Sequence, residues 1–118
     1  MQHGNKLRTL GRSRSQRTAL IRGLAVSLIR DGKIKTTEAK AKELRPFIER
    51  LISHGKKNTV AARRIVASRL GEPADIVISK LFADIAPKYT TRAGGYTRII
   101  KMGRTTAGRD EAVIEFVE

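Results

Sequence analysis

Residues 33–44 read KIKTTEAKAKEL, and the change from strand to helix within them decides the fold class. The first four residues alternate and are rich in β-branched side chains, which predicts one short strand over residues 33–36. Thr36 or Thr37 then provides the oxygen that caps a following helix. A strand enclosed by helical segments indicates an α+β domain.

This following helix, the second of the chain, is predicted to bury one face. Its apolar positions are Ala39, Leu44, Phe47, Ile48, Leu51 and Ile52. Pro46 removes one backbone donor from the helix interior, so we expect a kink or break near Lys42–Arg45. Gly55 is placed to end the helix.

The segment before the strand predicts a first helix preceded by an extended arm. Ser13 and Gln16, three residues apart, form a capping box, and Gly32 is placed to end the helix. Apolar residues at four-residue steps predict a broad buried stripe of Leu20, Leu24 and Leu28, flanked by Ile21, Ala25 and Ile29. Residues 1–12 show no sustained period, so we expect a basic N-terminal arm there and a single globular domain over residues 13–118.

The segment after the second helix predicts two more helices and two strands. Asn58 or Thr59 caps a third helix that Gly71 ends, and Pro73 fits the first turn of a fourth helix. Two alternating runs predict strands at residues 96–102 and 112–117. A long basic loop over residues 103–109 lies between them. The predicted order is therefore helix, strand, three helices and two strands.

The net charge is +14 on 118 residues, and it is concentrated in two blocks. Residues 1–30 carry seven bases and residues 86–109 carry six, and neither block contains an acid. Residues 110–118 reverse the sign with four acids and no base. A solubilising surface mixes the two signs, whereas acid-free basic blocks suit a polyanion, most often a nucleic acid.

The residue types that enzymes and metal sites require are scarce. The chain has no cysteine, and its two histidines, His3 and His54, lie in the arm and at a helix end. No carboxylates have metal-ligand spacing, and no glycine-rich phosphate loop follows a strand. No apolar run approaches the roughly 18 residues that span a bilayer. We therefore expect no catalytic residue, metal, cofactor, small-molecule substrate or membrane partner.

The candidate contacts to a nucleic acid come mainly from the basic blocks. They are His3, Lys6, Arg8, Arg12, Arg14, Arg17, Arg22, Lys35, Lys40, Lys56, Lys57, Arg63, Arg64, Lys88, Arg92, Tyr96, Arg98, Lys101, Arg104 and Arg109. The four bases over residues 56–64 flank the start of the third helix, where backbone N–H groups also suit a phosphate, and ordinary surface bases fit equally well. Tyr96 suits stacking on an unpaired base, but a packing pair with Tyr89 is the favoured alternative.

Three segments carry a family resemblance: residues 17–24 (RTALIRGL), 34–43 (IKTTEAKAKE) and 94–99 (GGYTRI). They closely resemble the L-seventeen family of bacterial large-subunit ribosomal proteins, and the similarity runs from the arm to the last strand. The resemblance implies a two-layer α/β domain with a small mixed sheet. It also implies a site on large-subunit ribosomal RNA near the nascent-chain tunnel exit, beside neighbouring ribosomal proteins, in the cytoplasm.

The residues and the resemblance together predict a structural constituent of the bacterial large ribosomal subunit. Bases on the arm, the first helix and the hairpin loop would neutralise phosphates that folded RNA brings close together. Two alternatives stay open. A nucleoid-type DNA-binding protein would share the charge, and an RNA-modifying enzyme would require a cofactor pocket and a catalytic constellation.

Overall fold

The computed structural model describes residues 13–118. Its helices and strands are, in chain order, α1 (Arg14–Asp31), β1 (Lys33–Thr37), α2 (Glu38–Lys57), α3 (Val60–Arg69), α4 (Asp75–Lys80), β2 (Thr97–Arg104) and β3 (Asp110–Phe116). A π-helical turn (Leu81–Ile85) and a 3-10 turn (Ala86–Tyr89) continue from α4 towards β2. This order confirms the predicted α+β fold, while the expected arm over residues 1–12 lies outside the described residues.

Helix α1 begins at the predicted capping box and buries four residues of the predicted stripe, but not Leu20 and Leu24. Ser13 Oγ accepts a hydrogen bond from Gln16 N at 3.3 Å, and Gln16 Oε1 accepts one from Ser13 N at 3.2 Å. Gly32 ends the helix at a φ of 83°, which favours glycine. The buried residues are Ile21, Ala25, Leu28 and Ile29. Leu20 and Leu24 are half-buried, because the face that meets α2, α4 and β1 is rotated by one residue from the leucine stripe.

Helix α2 runs from Glu38 to Lys57 without a break near Lys42–Arg45, where a kink or break was predicted. A proline inside a helix removes one N–H donor. Pro46 is exposed, so water can satisfy the carbonyl group that loses its partner. Thr37 is the residue that caps the helix, because its Oγ1 accepts a hydrogen bond from Lys40 N at 3.3 Å.

Gly55 permits a close helix contact instead of ending α2 as predicted. It is buried, and a Cβ at this position would lie 2.8 Å from Ala86 Cβ in the 3-10 turn. The helix continues to Lys57, and Asn58 closes it at a φ of 48°. Asparagine tolerates this left-handed conformation better than most residues.

Helix α3 has the predicted cap, whereas α4 is short and begins later than predicted. Thr59 Oγ1 accepts a hydrogen bond from Ala62 N at 3.0 Å. Gly71 and Glu72 both adopt positive φ, so the chain turns before a new helix starts. Pro73 consequently precedes α4 rather than lying in its first turn. The apolar residues that follow α4 are buried in the π-helical turn: Leu81, Phe82 and Ile85.

The strands form one sheet in the order β1-β3-β2, and both pairings are antiparallel. The sheet formed by the described residues is therefore antiparallel rather than mixed. A turn over residues 105–109 reverses the chain between β2 and β3, which makes that pair antiparallel. Strand β1 aligns with the opposite side of β3, from Lys33 beside Glu115 to Thr37 beside Glu111.

The connection between β2 and β3 is a closed turn, shorter than the predicted loop over residues 103–109. Gly103 and Arg104 belong to β2, and a bulge lies between Lys101 and Gly103. Thr105 N donates a hydrogen bond to the Arg109 carbonyl oxygen at 2.8 Å, which closes the turn. The hairpin thus presents Arg104 and Arg109 from a fixed turn.

One hydrophobic core holds the helices against the sheet. Helix α2 lies at its centre and contacts α1, α3 and all three strands. The largest fully buried apolar side chains are Leu28, Ile29, Leu44, Ile48, Leu51, Ile52, Leu81 and Ile114. Burying each such side chain contributes about 1.5–3 kcal/mol. Helix α2 is therefore the common support for a helical surface on one side and the sheet on the other.

Candidate nucleic-acid interface

A cleft of about 470 Å³ opens on the helical side of the molecule, between α1, α2 and the end of α3. We call it the arginine cleft. Five arginines line it, and we call them the rim: Arg14, Arg17, Arg22, Arg50 and Arg69. The lining also contains Ile21 and Glu43, which are buried, and Phe47, which is half-buried.

The rim arginines come together from three helices. Arg14 and Arg17 are three residues apart on α1, so they share one helix face. Arg50 lies one turn after Phe47 on α2, and Arg69 is the last residue of α3. Guanidinium groups stay protonated at physiological pH and bind phosphate oxygens through paired N–H donors.

Arg22 joins α1 to the end of α3. Its Nε donates a hydrogen bond to the Arg69 carbonyl oxygen at 2.9 Å, across 47 residues of sequence. Gly71 lets this side chain lie close, because a Cβ there would be 3.3 Å from Arg22 Cδ. This contact places the Arg22 and Arg69 side of the rim in a fixed position.

Among the described residues, four of the five rim arginines have no paired acid. Within residues 13–118, no ion pair reaches Arg14, Arg22, Arg50 or Arg69. Glu43 is the one carboxylate that lines the cleft among these residues, and it is only 7% exposed. The solvent-facing rim is therefore suited to bind an anion.

Four bases of the sheet are in the opposite situation, since each of them lies beside an acid. We call Lys35, Arg98, Lys101 and Arg104 the paired sheet bases. Their nitrogen-to-oxygen distances are 3.4 Å for Lys35–Glu111, 3.0 Å for Arg98–Glu115, 3.6 Å for Lys101–Glu38 and 3.3 Å for Arg104–Asp110. Three of these acids belong to β3, so the acidic end of the chain neutralises the domain's own bases.

Glu38 is the fourth acid, and it lies at the start of α2. The hydrogen bond from Lys42 is the largest cause of the lowered pKa of Glu38; burial opposes it, and the charges of Lys101 and Lys42 lower the pKa further. The Lys42 contact has an N–O distance of 2.8 Å at i,i+4 spacing. Glu38 thus stays ionised and holds Lys101.

Tyr96 and Lys56 form an internal cluster rather than an exposed binding surface. Tyr96 is 2% exposed, and its ring lies 5.2 Å from that of Tyr89. Lys56 Nζ donates to Tyr96 Oη at 2.9 Å and to the Arg92 carbonyl oxygen at 2.5 Å. The hydrogen bond from Lys56 is the main reason for the lowered pKa of Tyr96. The favoured packing interpretation fits this geometry, and stacking of Tyr96 on a base does not.

Glu49 fixes the same region to α2. Its carboxylate accepts hydrogen bonds from Tyr96 N at 3.1 Å and from Thr97 N at 2.8 Å, and Thr97 Oγ1 donates to it at 2.7 Å. The start of β2 is therefore anchored to the central helix, away from the arginine cleft.

The remaining predicted residues are dispersed. Lys57, Arg64, Lys88 and Arg109 are exposed, and Lys40 is half-buried near the start of α2. The guanidinium of Arg63 lies 4.7 Å from the centre of the Phe82 ring, and Arg92 Nε donates to the Gly94 carbonyl oxygen at 3.2 Å. His3, Lys6, Arg8 and Arg12 lie outside the described residues.

The sequence analysis missed Arg50 and Arg69, which complete the rim. Both lie outside the two acid-free blocks, where acids are interspersed with bases. The sequence could have indicated Arg50, because its position one turn after Phe47 places both residues on one face of α2. No sequence feature indicates Arg69, since its position beside Arg22 depends on how α3 packs.

No group of three or more His, Asp and Glu side chains within residues 13–118 could hold a metal ion. His54 is half-buried, and burial, followed by the charges of Lys57 and Arg69, lowers its pKa. No helix in this part of the chain is both long enough and apolar enough to cross a membrane.

Comparison with known proteins gives consistent matches over nearly the whole chain. The family model described as "Ribosomal protein L17" matches residues 20–117. A protein of Shouchella clausii is 52% identical over 92% of this chain and 96% of its own length. A protein of Persephonella marina is 48% identical over 100% of this chain and 96% of its own. A protein of Fusobacterium nucleatum is 46% identical over 99% of this chain and 100% of its own. Each of these relatives is named "Large ribosomal subunit protein bL17".

Proposed function

This chain belongs to the ribosomal protein L17 family, and we propose that it helps to fold and hold large-subunit ribosomal RNA. Its family is one of structural ribosomal proteins, so the chain is not an enzyme. That membership removes the RNA-modifying alternative. The proposal concerns what the family does not specify, namely which surface binds RNA and how.

The observation that carries the proposal is the arginine cleft. Arg14, Arg50 and Arg69 converge from three helices, and no acid within the described residues pairs with them. Folded RNA brings phosphates into proximity, and their repulsion opposes compaction. Guanidinium groups placed between them lower that repulsion and release counterions. The cleft is thus the principal phosphate-binding surface.

Other bases would extend this surface. We include the exposed Lys57, Arg63, Arg64, Lys88, Arg92 and Arg109 and, in the proposed arm, His3, Lys6, Arg8 and Arg12. The paired sheet bases contribute less, because an acid already faces each of them. The proposed setting is the cytoplasmic ribosome, beside neighbouring ribosomal proteins near the nascent-chain tunnel exit.

Salt dependence of RNA binding tests the proposal. The full chain is titrated onto protein-free large-subunit ribosomal RNA and onto duplex DNA, at several salt concentrations. Four rim arginines contacting phosphates give a log–log slope of about 3 or more in magnitude, at roughly 0.7 for each contact. A slope near zero contradicts the electrostatic mechanism. Equal affinity for duplex DNA at every salt concentration favours the nucleoid-type alternative.

A further inference from the structure

We infer that the arginine cleft holds one unpaired nucleotide of ribosomal RNA, with its base against Phe47 and its phosphates on the arginine rim. The inference rests on the proposed function and deepens it, because it names the form of RNA that this site accepts. It distinguishes a looped-out nucleotide from the outer surface of a duplex.

The shape of the cleft carries the first step. Its volume of about 470 Å³ lies within the range of small-molecule sites, about 300–1,000 Å³. An RNA duplex presents convex rows of phosphates and keeps its bases inside. A flat basic face would suit such a duplex, whereas a concave site of this size suits a single inserted group.

The distribution of charge within the cleft carries the second step. Glu43 lines the cleft but is only 7% exposed, whereas Arg14, Arg50 and Arg69 are exposed. The accessible charge is therefore positive, and the exposed guanidinium groups are the ones that can hold a phosphate. Ile21 is buried and Phe47 is half-buried, so this apolar part of the lining suits the uncharged face of a nucleobase.

The position of Phe47 carries the third step. Its half-buried ring packs against the hydrophobic core while lining the cleft, so the ring is held in place and still reachable. The other aromatic side chains do not line the cleft: Phe82, Tyr89 and Tyr96 are buried, and Phe116 lies on β3. Aromatic rings and arginine planes are the groups on which unpaired bases stack.

The experiment compares a short single-stranded RNA with the blunt-ended duplex of the same sequence, by fluorescence anisotropy with the full chain at fixed salt. We expect the wild-type protein to bind the single strand more tightly. Phe47→Leu keeps apolar bulk but removes the stacking surface, so it should weaken single-strand binding roughly five-fold and leave duplex binding and the salt slope unchanged. Arg50→Gln should reduce the single-strand slope by about 0.7.

Two controls separate stacking from loss of structure. Thermal unfolding checks that Phe47→Leu remains folded, and Phe47→Tyr retains the ring and should bind the single strand like wild type. Arg98→Gln removes a paired sheet base and should leave the single-strand preference intact. If Phe47→Leu unfolds, two measurements still test the nucleotide site: the preference of the wild-type protein for the single strand over the duplex, and the single-strand affinity of Phe47→Tyr.

The failures of the two proposals are distinguishable. Equal or tighter binding of the duplex by the wild-type protein overturns the nucleotide site, and so does wild-type single-strand affinity in folded Phe47→Leu. Reduced affinity in Phe47→Tyr overturns it as well. All three results leave the proposed function standing if large-subunit RNA still binds with a steep salt slope. Absence of that slope defeats the proposed function itself.

Discussion

The helical side and the sheet side of this domain are both rich in bases, but those bases meet different surroundings. Five arginines line the cleft, and the one carboxylate that lines it among the described residues is buried. On the sheet, each of four bases lies 3.0–3.6 Å from a carboxylate oxygen. The two surfaces contain similar basic residues but therefore present different electrostatic fields to a polyanion.

The contrast arises from the order of the strands. Strand β3 holds the centre of the sheet, so its acids reach β1 on one side and β2 on the other. Glu111 meets Lys35, and Glu115 meets Arg98. Charge that is well separated along the chain is thus neutralised across the sheet. Charge counted along a sequence does not give the charge of the folded surface.

The largest expected effect is the loss of RNA binding when the exposed rim is neutralised. The triple variant Arg14→Gln/Arg50→Gln/Arg69→Gln should bind large-subunit RNA roughly 30-fold more weakly at about 0.2 M salt, with a slope smaller by about 2. The matched triple variant Arg98→Gln/Lys101→Gln/Arg104→Gln removes the same formal charge from the sheet and should lose about three-fold or less. Filter binding over a salt series measures both, and equal losses would remove the distinction between the two sides.

A smaller gain is expected when the sheet acids are neutralised instead. Asp110→Asn/Glu111→Gln/Glu115→Gln frees three bases, so RNA affinity should rise about three-fold or more at moderate salt, with a steeper slope. Glu72→Gln/Asp75→Asn/Asp84→Asn adds the same net charge at exposed positions on the other elements. If this control gains as much affinity in the same titration, net charge alone explains the result.

The smallest expected effect is the pH dependence of stability through Glu38. Its pKa is lowered in the folded state, chiefly by the hydrogen bond from Lys42. A lowered carboxyl pKa stabilises the fold above the pKa of the unfolded chain, and this contribution disappears as pH falls through the folded pKa. The wild-type protein should therefore exceed Glu38→Gln in unfolding free energy at neutral pH, and the difference should shrink below about pH 4. Urea unfolding at several pH values measures this, and a constant difference would show that Glu38 acts through packing.

Features that depend on near neighbours were predictable from the sequence. The capping box at Ser13 and Gln16, the glycine end of α1 and the caps at Thr37 and Thr59 are all as expected. Each involves atoms within about one helical turn, so local residue types decide the outcome. The resemblance to a ribosomal family also holds, because it rests on contiguous segments.

Features that depend on distant partners were not predictable. The antiparallel pairing of β1 and the close contact at Gly55 both require knowledge of what packs opposite. The candidate site shows the same division. Arg14, Arg17 and Arg22 were identified from their basic block, whereas Arg69 joins them only through the fold of α3 against α1.

The strand order also determines when the sheet can form during synthesis. Strand β3 is C-terminal to both of its partners, so it is translated after them. Until it emerges, β1 and β2 have no neighbour to pair with, since they do not pair with each other. The pairing of β1 with β3 is non-local, and such pairing is slow compared with helix formation. The helices that build the arginine cleft can therefore form on a nascent chain whose sheet is still incomplete.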